Sequence, residues 1–347
     1  VFPYARTWFL PSVEVDKMWV IMPNPVSSNL LTPMLLSVLA TAAISTFASS
    51  ANEHPTTVDF PGVSLGTLSF ISTNGPPLWN IQNKKDAQAI GRVAVPAGKY
   101  CVLFVNYQTA SDPTLLAKCK PDQFIGINFN KMPITDAGLA SIQHLTGLRA
   151  LELSDTDIGD AGLKHIAKLR NLEFIDLDST NISGAGVSAL SPLKNMVNLV
   201  LARNVVGGEC LKTFATWPQL KFLSLKDTQL KDSDLSNLVA IPNLIEVDLS
   251  NNPDVSAIGL QKLAACQKLT QMSVQWTGVK PGDAALFKKL RHLKHLFIGG
   301  DTFVPADEQK WRKTLPGVLV QEAEAHNSKI PIELFNPRHG NYRLPGQ

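Results

Sequence analysis

One pattern, apolar-x-x-apolar-x-apolar, returns every 24 residues through most of this chain. It stands at Leu148/Leu151/Leu153, Leu172/Ile175/Leu177, Met196/Leu199/Leu201, Leu220/Leu223/Leu225 and Leu244/Val247/Leu249. One inserted residue beside Pro253 moves the next copy to Leu269/Met272/Val274, and the spacing recovers at Leu293/Leu296/Ile298. Upstream the register runs through Phe124/Ile127/Phe129 to Tyr100/Leu103/Val105, and a shortened last copy ends at Leu315/Val318/Val320. A fixed period of this length restricts the chain to architectures in which one supersecondary unit stacks on the next.

Within each unit the short alternating stretch predicts a strand. The residues that follow carry apolar positions at helical spacing, as in Leu139, Ile142 and Leu145. A lone coil of this kind cannot hold itself together. Its few large apolar side chains contribute about 1.5 to 3 kcal/mol each on burial, while ordering its backbone costs about 1 to 2 kcal/mol per residue. Stacking is what makes the coils stable, and that is why the chain repeats itself.

The helical half opens with Thr-Asp-Ala-Gly-Leu at Thr135 to Leu139 and with Gly-Asp-Ala-Gly-Leu at Gly159 to Leu163. Later copies drift, at Ser183 to Val187, Lys231 to Leu235 and Ser256 to Leu260. With these residues and this period the chain resembles the leucine-rich repeats over residues 95–325, in particular the bacterial subtype marked by Thr-Asp-Ala-Gly-Leu. The resemblance implies an α/β, horseshoe-shaped solenoid with a parallel concave sheet and short convex helices. It also implies an Asn after each strand, bonded to the turn backbone. Here that slot holds Thr156, Thr180, Asn204, Thr228, Asn252 and Thr277, with Met132 and Asp301 at the two ends. A Thr hydroxyl satisfies fewer backbone groups than an amide does.

The regions outside the repeats read differently. Met34 to Ala48 is apolar and uncharged and is followed by Ser49, Ser50 and Ala51, so residues 1–51 are expected to be a signal peptide or an N-terminal anchor. Residues 52–94, with the strand-like run Leu65 to Ile71, form an expected N-terminal cap, and residues 326–347 a C-terminal tail. Export permits disulfides, and Cys101 with Cys119 is the plausible pair, whereas Cys210 and Cys266 fall where the register places small buried groups. A formal charge of +3 and 18% charged residues, with no Lys/Arg stripe interleaved with aromatics, argue against a nucleic-acid partner.

In a stacked parallel sheet the residues flanking each core position face the concave side. Phe174, Phe222, Trp276 and Phe297 are thereby expected as exposed rings, a contact signal. Glu152, Asp176 and Asp178 form an acidic cluster on neighbouring strands, with Glu246 and Asp248 farther along. The face is expected to bind a protein or peptide, the rings anchoring it and the acids receiving a basic partner. Carbohydrate stacking on the rings, and a purely structural envelope role, are the alternatives.

Catalytic and metal readings fare worse. A hard cation takes six or more oxygens, and no Asp/Asn/Gly calcium loop accompanies Glu152, Asp176 and Asp178, while the register separates His292 from His295. Gly62-Val63-Ser64-Leu65-Gly66 fits the G-x-S-x-G string, but Pro61 precedes it and a strand-like run follows, where a nucleophile elbow needs a strand before and a helix after. The expectation is an exported binding protein that is not an enzyme and uses no cofactor or metal, with a membrane involved only if the N-terminal segment is an anchor.

Overall fold

The structure is a computed structural model, described over residues 56–72 and 84–322. The expected signal or anchor segment and the C-terminal tail lie outside these residues.

The core begins with a cap. Strands β1 (Thr56–Asp59) and β4 (Arg92–Val95) pair antiparallel as a separate two-stranded sheet. Strands β2 (Gly66–Ser72), β3 (Ala87–Gln88) and β5 (Lys99–Val105) join antiparallel, and β5 then pairs parallel with β6 (Gly126–Asn128). From there each coil adds one parallel strand: β7 (Ala150–Glu152), β8 (Phe174–Asp176), β9 (Asn198–Val200), β10 (Phe222–Ser224), β11 (Glu246–Asp248), β12 (Gln271–Ser273), β13 (His295–Ile298) and β14 (Leu319–Glu322). The result is a 12-stranded sheet that is parallel from β5 onward, with β14 and β3 at its edges.

Pairing follows the predicted register throughout. Leu151 opposes Ile175, Leu199 opposes Leu223 and Val247 opposes Met272. The extra residue beside Pro253 therefore leaves the ladder untouched and is absorbed in the turn, where the Val255 N–H donates to the Asn252 carbonyl. The apolar residues of the pattern form one continuous core from Leu65 to Val320, with Leu151, Leu177, Leu201 and Leu223 fully buried. Tyr100 and Val318, at the two ends of the pattern, depart from this, being only half-buried.

Two devices turn the chain out of each strand. The first is a left-handed residue at the same point of successive coils: Lys131, Asp155, Ser179, Arg203, Asp227, Asn251 and Trp276 all have φ between 49° and 60°. The second is the Thr/Asn slot just after it. Asn204 Nδ2 donates to the carbonyls of Leu201 and Ala202 and, across the coil boundary, to that of Leu177 at 2.7 Å. Its Oδ1 accepts from the N–H and hydroxyl of Thr180, and Asn252 serves Thr228 through its N–H in the same way. Thr156, Thr180 and Thr228 each donate back to the carbonyl three residues earlier.

The Thr-Asp-Ala-Gly-Leu motif has a stacking role. Asp160 accepts from the N–H and hydroxyl of Ser183 in the next coil, at 2.7 and 2.6 Å, and Asp232 does the same for Ser256. The motif glycine of the following coil makes room: a Cβ on Gly186 would lie 2.1 Å from Asp160 Oδ1, and one on Gly259 would lie 1.9 Å from Asp232 Oδ1. Asp and Gly thus form one contact between coils. Ser183 and Ser256 also cap their own helices by accepting backbone N–H groups.

All four cysteines are buried free thiols. Cys101 and Cys119 therefore do not form the bridge expected of them. Both are buried in the core, and burial pushes their thiols up to about 12 and about 11. No described helix is long and apolar enough to cross a membrane.

Candidate functional site

Each short strand points its middle residue into the core, so the residues on either side form two rows across the concave face. The first row reads Val102, Gly126, Ala150, Phe174, Asn198, Phe222, Glu246, Gln271, His295, and the second Phe104, Asn128, Glu152, Asp176, Val200, Ser224, Asp248, Ser273, Phe297.

The rows differ from the expectation most at the rings. Phe174 is 3% exposed and Phe222 is 8% exposed, so neither projects into solvent. Strands only about 4.8 Å apart let a large ring lie over its neighbours. The side chains at Gly126 and Ala150 are small enough to allow this for Phe174, which joins Ile71, Val102, Ile125 and Ala150 in an apolar cluster on this side of the sheet. Phe222 lies between Asn198 and Glu246. Trp276 and Phe297 stay half-exposed, Trp276 with φ of 49°.

The acids separate into two groups. In the first, Glu152 opposes Asp176 across the β7–β8 ladder, and Asp178 follows two residues on. Asn128 and Asn130 both donate amide hydrogens to Glu152 Oε2, the latter at 2.8 Å. Asp176 accepts from the Asp178 N–H at 2.9 Å, and Asp178, nearly buried, pairs with Arg203 at 2.5 Å. Burial, and then the charge of Asp176, pushes the Glu152 carboxyl up to about 8 against the Asn130 bond. Burial chiefly, with the Asp178 charge, pushes Asp176 up to about 7.

In the second group Glu246 is 4% exposed and Asp248 half-exposed. Burial and then the Asp248 charge push Glu246 up to about 8. Its Oε1, like Asn198 Oδ1 two strands away, is buried without a hydrogen-bond partner. Asp248 accepts from the Ser250 N–H at 3.0 Å.

Several contributors escaped the sequence reading. Asn128 and Asn130 could have been found, since the register sets them opposite Glu152 and Ser154. The apolar cluster could not, because it depends on side-chain size across strands. A cavity of 240 Å³ at the cap end of the face is lined by Thr67, Gln88, Phe104, Asn106, Asn128 and Met132 among others. One of its lining residues, Asn128, also donates to Glu152.

The remaining candidates sit as isolated features. Ser64 lies in the turn before β2, its Oγ 3.3 Å from Gln88 Oε1 and 3.4 Å from the Gly66 carbonyl. His295 lies on the sheet and His292 in the exposed turn before it. Among the described residues no group of three or more His, Cys, Asp or Glu is placed to hold a metal.

Comparison with known proteins agrees with the repeat. Residues 144–167 and 168–191 each match the leucine rich repeat family. No curated protein matches the chain. Among solved structures it is similar to internalin C2 of Listeria monocytogenes, with 25% identity over 51% of this chain and 72% of that one and a TM-score of 0.42. It is also similar to an internalin (inlF) of the same organism, with 17% identity over 61% of this chain and 71% of that one and a TM-score of 0.42.

Proposed function

We propose that this leucine-rich-repeat protein works by binding rather than by catalysis, holding a basic protein or peptide against its concave sheet. The observation that carries the reading is the crowding of carboxyls there. Glu152, Asp176, Glu246 and Asp248 share a face on which Arg203 is committed to Asp178. Desolvation and mutual repulsion hold three of these groups near neutral pH, so an arriving ammonium or guanidinium would find them ready to ionise. Half-exposed Phe297 and Trp276 supply apolar contact at the other end. The buried Phe174 and Phe222 shape the floor instead of reaching for a ligand, which leaves little aromatic surface for stacking a sugar here.

The rest of the reading follows the sequence: a member of the Thr-Asp-Ala-Gly-Leu subtype, exported by its N-terminal segment, with residues 95–325 as the working part. The concave-face claim is tested with an Asp176→Asn, Asp248→Asn, Phe297→Ala variant whose unfolding temperature matches the parent. A displayed library of random peptides should yield Lys- and Arg-rich binders to the parent, weakened tenfold or more on the variant. Enrichment without basic residues, or equal binding to both proteins, would refute it.

A further inference from the structure

The chain enters its strands through a set of stacked turns, residues 143–149, 167–173, 191–197, 215–221, 239–245, 264–270 and 288–294. Hydrogen bonds join these turns into one flank: Asn171 donates to the Thr146 carbonyl, Asn195 to that of Arg170 and Asn243 to that of Pro218. Together they carry ten Lys and Arg against one acid, Glu173, and Glu173 is already paired with Arg149. No other cation of this flank is in an ion pair among the described residues. Lys194 and Lys289 reach neutral oxygens at 3.3 and 2.8 Å, and Lys268 reaches Asn243, so their charge stays uncompensated.

The opposite flank, where the chain leaves its strands, is rich in acids, and it uses six of them internally. Asp136, Asp160, Asp232, Asp234, Asp283 and Asp307 all accept backbone N–H groups at coil junctions and helix starts. The formal charge of +3 thus hides a positive edge about 30 Å long at roughly 4.8 Å per coil.

We infer that this edge is a second binding surface, and that it takes a linear acidic polysaccharide. A chain of carboxylated or sulfated sugars carries its anions along a line, and it can follow Arg170, Lys194, Lys221 and Lys268 from coil to coil, past turn 239–245, which has no cation, to Lys289, Arg291 and Lys294 crowded in the last turn. The surface lacks what other polyanions use. None of the exposed large apolar residues (Val63, Ile90, Tyr107, Val205, Ile258, Val304, Leu319) lies in these turns, so nothing there inserts into a bilayer. Trp217 is fully buried and the other rings in these turns are the imidazoles of His144 and His292, so no Phe, Tyr or Trp face is offered to nucleic-acid bases.

The test applies the full chain to immobilised polygalacturonate near 0.15 M NaCl, where the screening length is about 8 Å. Retention should fall linearly on a log scale with salt as counterions are released. It should weaken tenfold or more for Lys289→Glu, Arg291→Glu, Lys294→Glu. A second variant, Arg170→Glu with Lys268→Glu, guards against a local folding defect in the first. The Asp176→Asn, Asp248→Asn, Phe297→Ala protein should be retained like the parent, which separates this edge from the concave face. Absence of retention, equal retention of both charge-reversed proteins, or tighter binding to anionic phospholipid vesicles or a single-stranded oligonucleotide would overturn the inference.

Discussion

The two flanks of the solenoid are made by the same repeat and treat charge in opposite ways. Where the chain leaves a strand, several carboxylates are structural: Asp160 binds the next coil through Ser183 and is roofed by Gly186. Where the chain enters a strand, the cations touch only neutral oxygens or solvent, apart from Arg149. The helix dipole favours this polarity, acids at helix starts and bases at helix ends. The lesson is that a charge used inside the fold is no longer available outside it, so near-neutral composition can coexist with a strongly charged edge.

The comparison is broken most severely at its structural side. Gly186→Ala would place a Cβ 2.1 Å from Asp160 Oδ1, and urea unfolding should register a loss of about 1 to 3 kcal/mol. Asp160→Ala, which removes both bonds to Ser183, should cost about 1 to 3 kcal/mol. Combined, the two changes should cost less than their sum, because the lost carboxylate vacates the space the new methyl needs. Full additivity would mean that the Asp–Gly contact is not the reason for the motif.

The sheet between the flanks offers a pH test. Glu152 and Glu246 have an ordinary value of 4.5 and are raised to about 8 in the fold. The folded state therefore binds their protons more tightly than the unfolded one. Their contribution is fully present below about pH 4.5 and is lost as pH rises through 8. Thermal unfolding should move down by several degrees between pH 5 and pH 9, and Glu152→Gln with Glu246→Gln should flatten the slope. A pH-independent midpoint in the parent would contradict the desolvated state of these acids.

Smaller effects complete the series. Lys131 holds φ of 60°, a conformation that costs a side-chain-bearing residue about 1 kcal/mol, so Lys131→Gly should stabilise by up to that amount in the same urea assay. Lys289→Glu and Arg291→Glu, on the exposed edge, should change stability by no more than about 0.5 kcal/mol. A larger loss would show that the basic flank is also structural.

Most of the fold was legible because the 24-residue period constrains strand, register and core at once. The Leu151, Leu199 and Leu223 positions needed no tertiary information. Even the inserted residue near Pro253 was visible as a phase shift. The concave rows were legible as positions but not as surfaces: burial of Phe174 depends on the small residues at 126 and 150, and burial of Phe222 on its neighbours Asn198 and Glu246. Cys101 and Cys119 lie near each other in sequence, yet nothing in their spacing reports that they stay unbridged. The basic flank was hidden for a different reason. Its residues are spread over six turns, and only the last, with Lys288, Lys289, Arg291 and Lys294, is dense in sequence, so their common edge emerges only when the coils are stacked.

The alternation of Thr and Asn after the strands has a further meaning. Asn204 bonds back to Thr180 and Leu177, and Asn252 bonds back to Thr228 and Leu225, while the junction between Asn204 and Thr228 has no such amide bridge. The array is therefore stapled two coils at a time, with a seam every 48 residues across this stretch. A duplication or deletion of 48 residues would preserve every amide staple, whereas one of 24 would strand an Asn or a Thr without its mate. The unit that such a gene can gain or lose without penalty is twice the unit that its hydrophobic pattern displays.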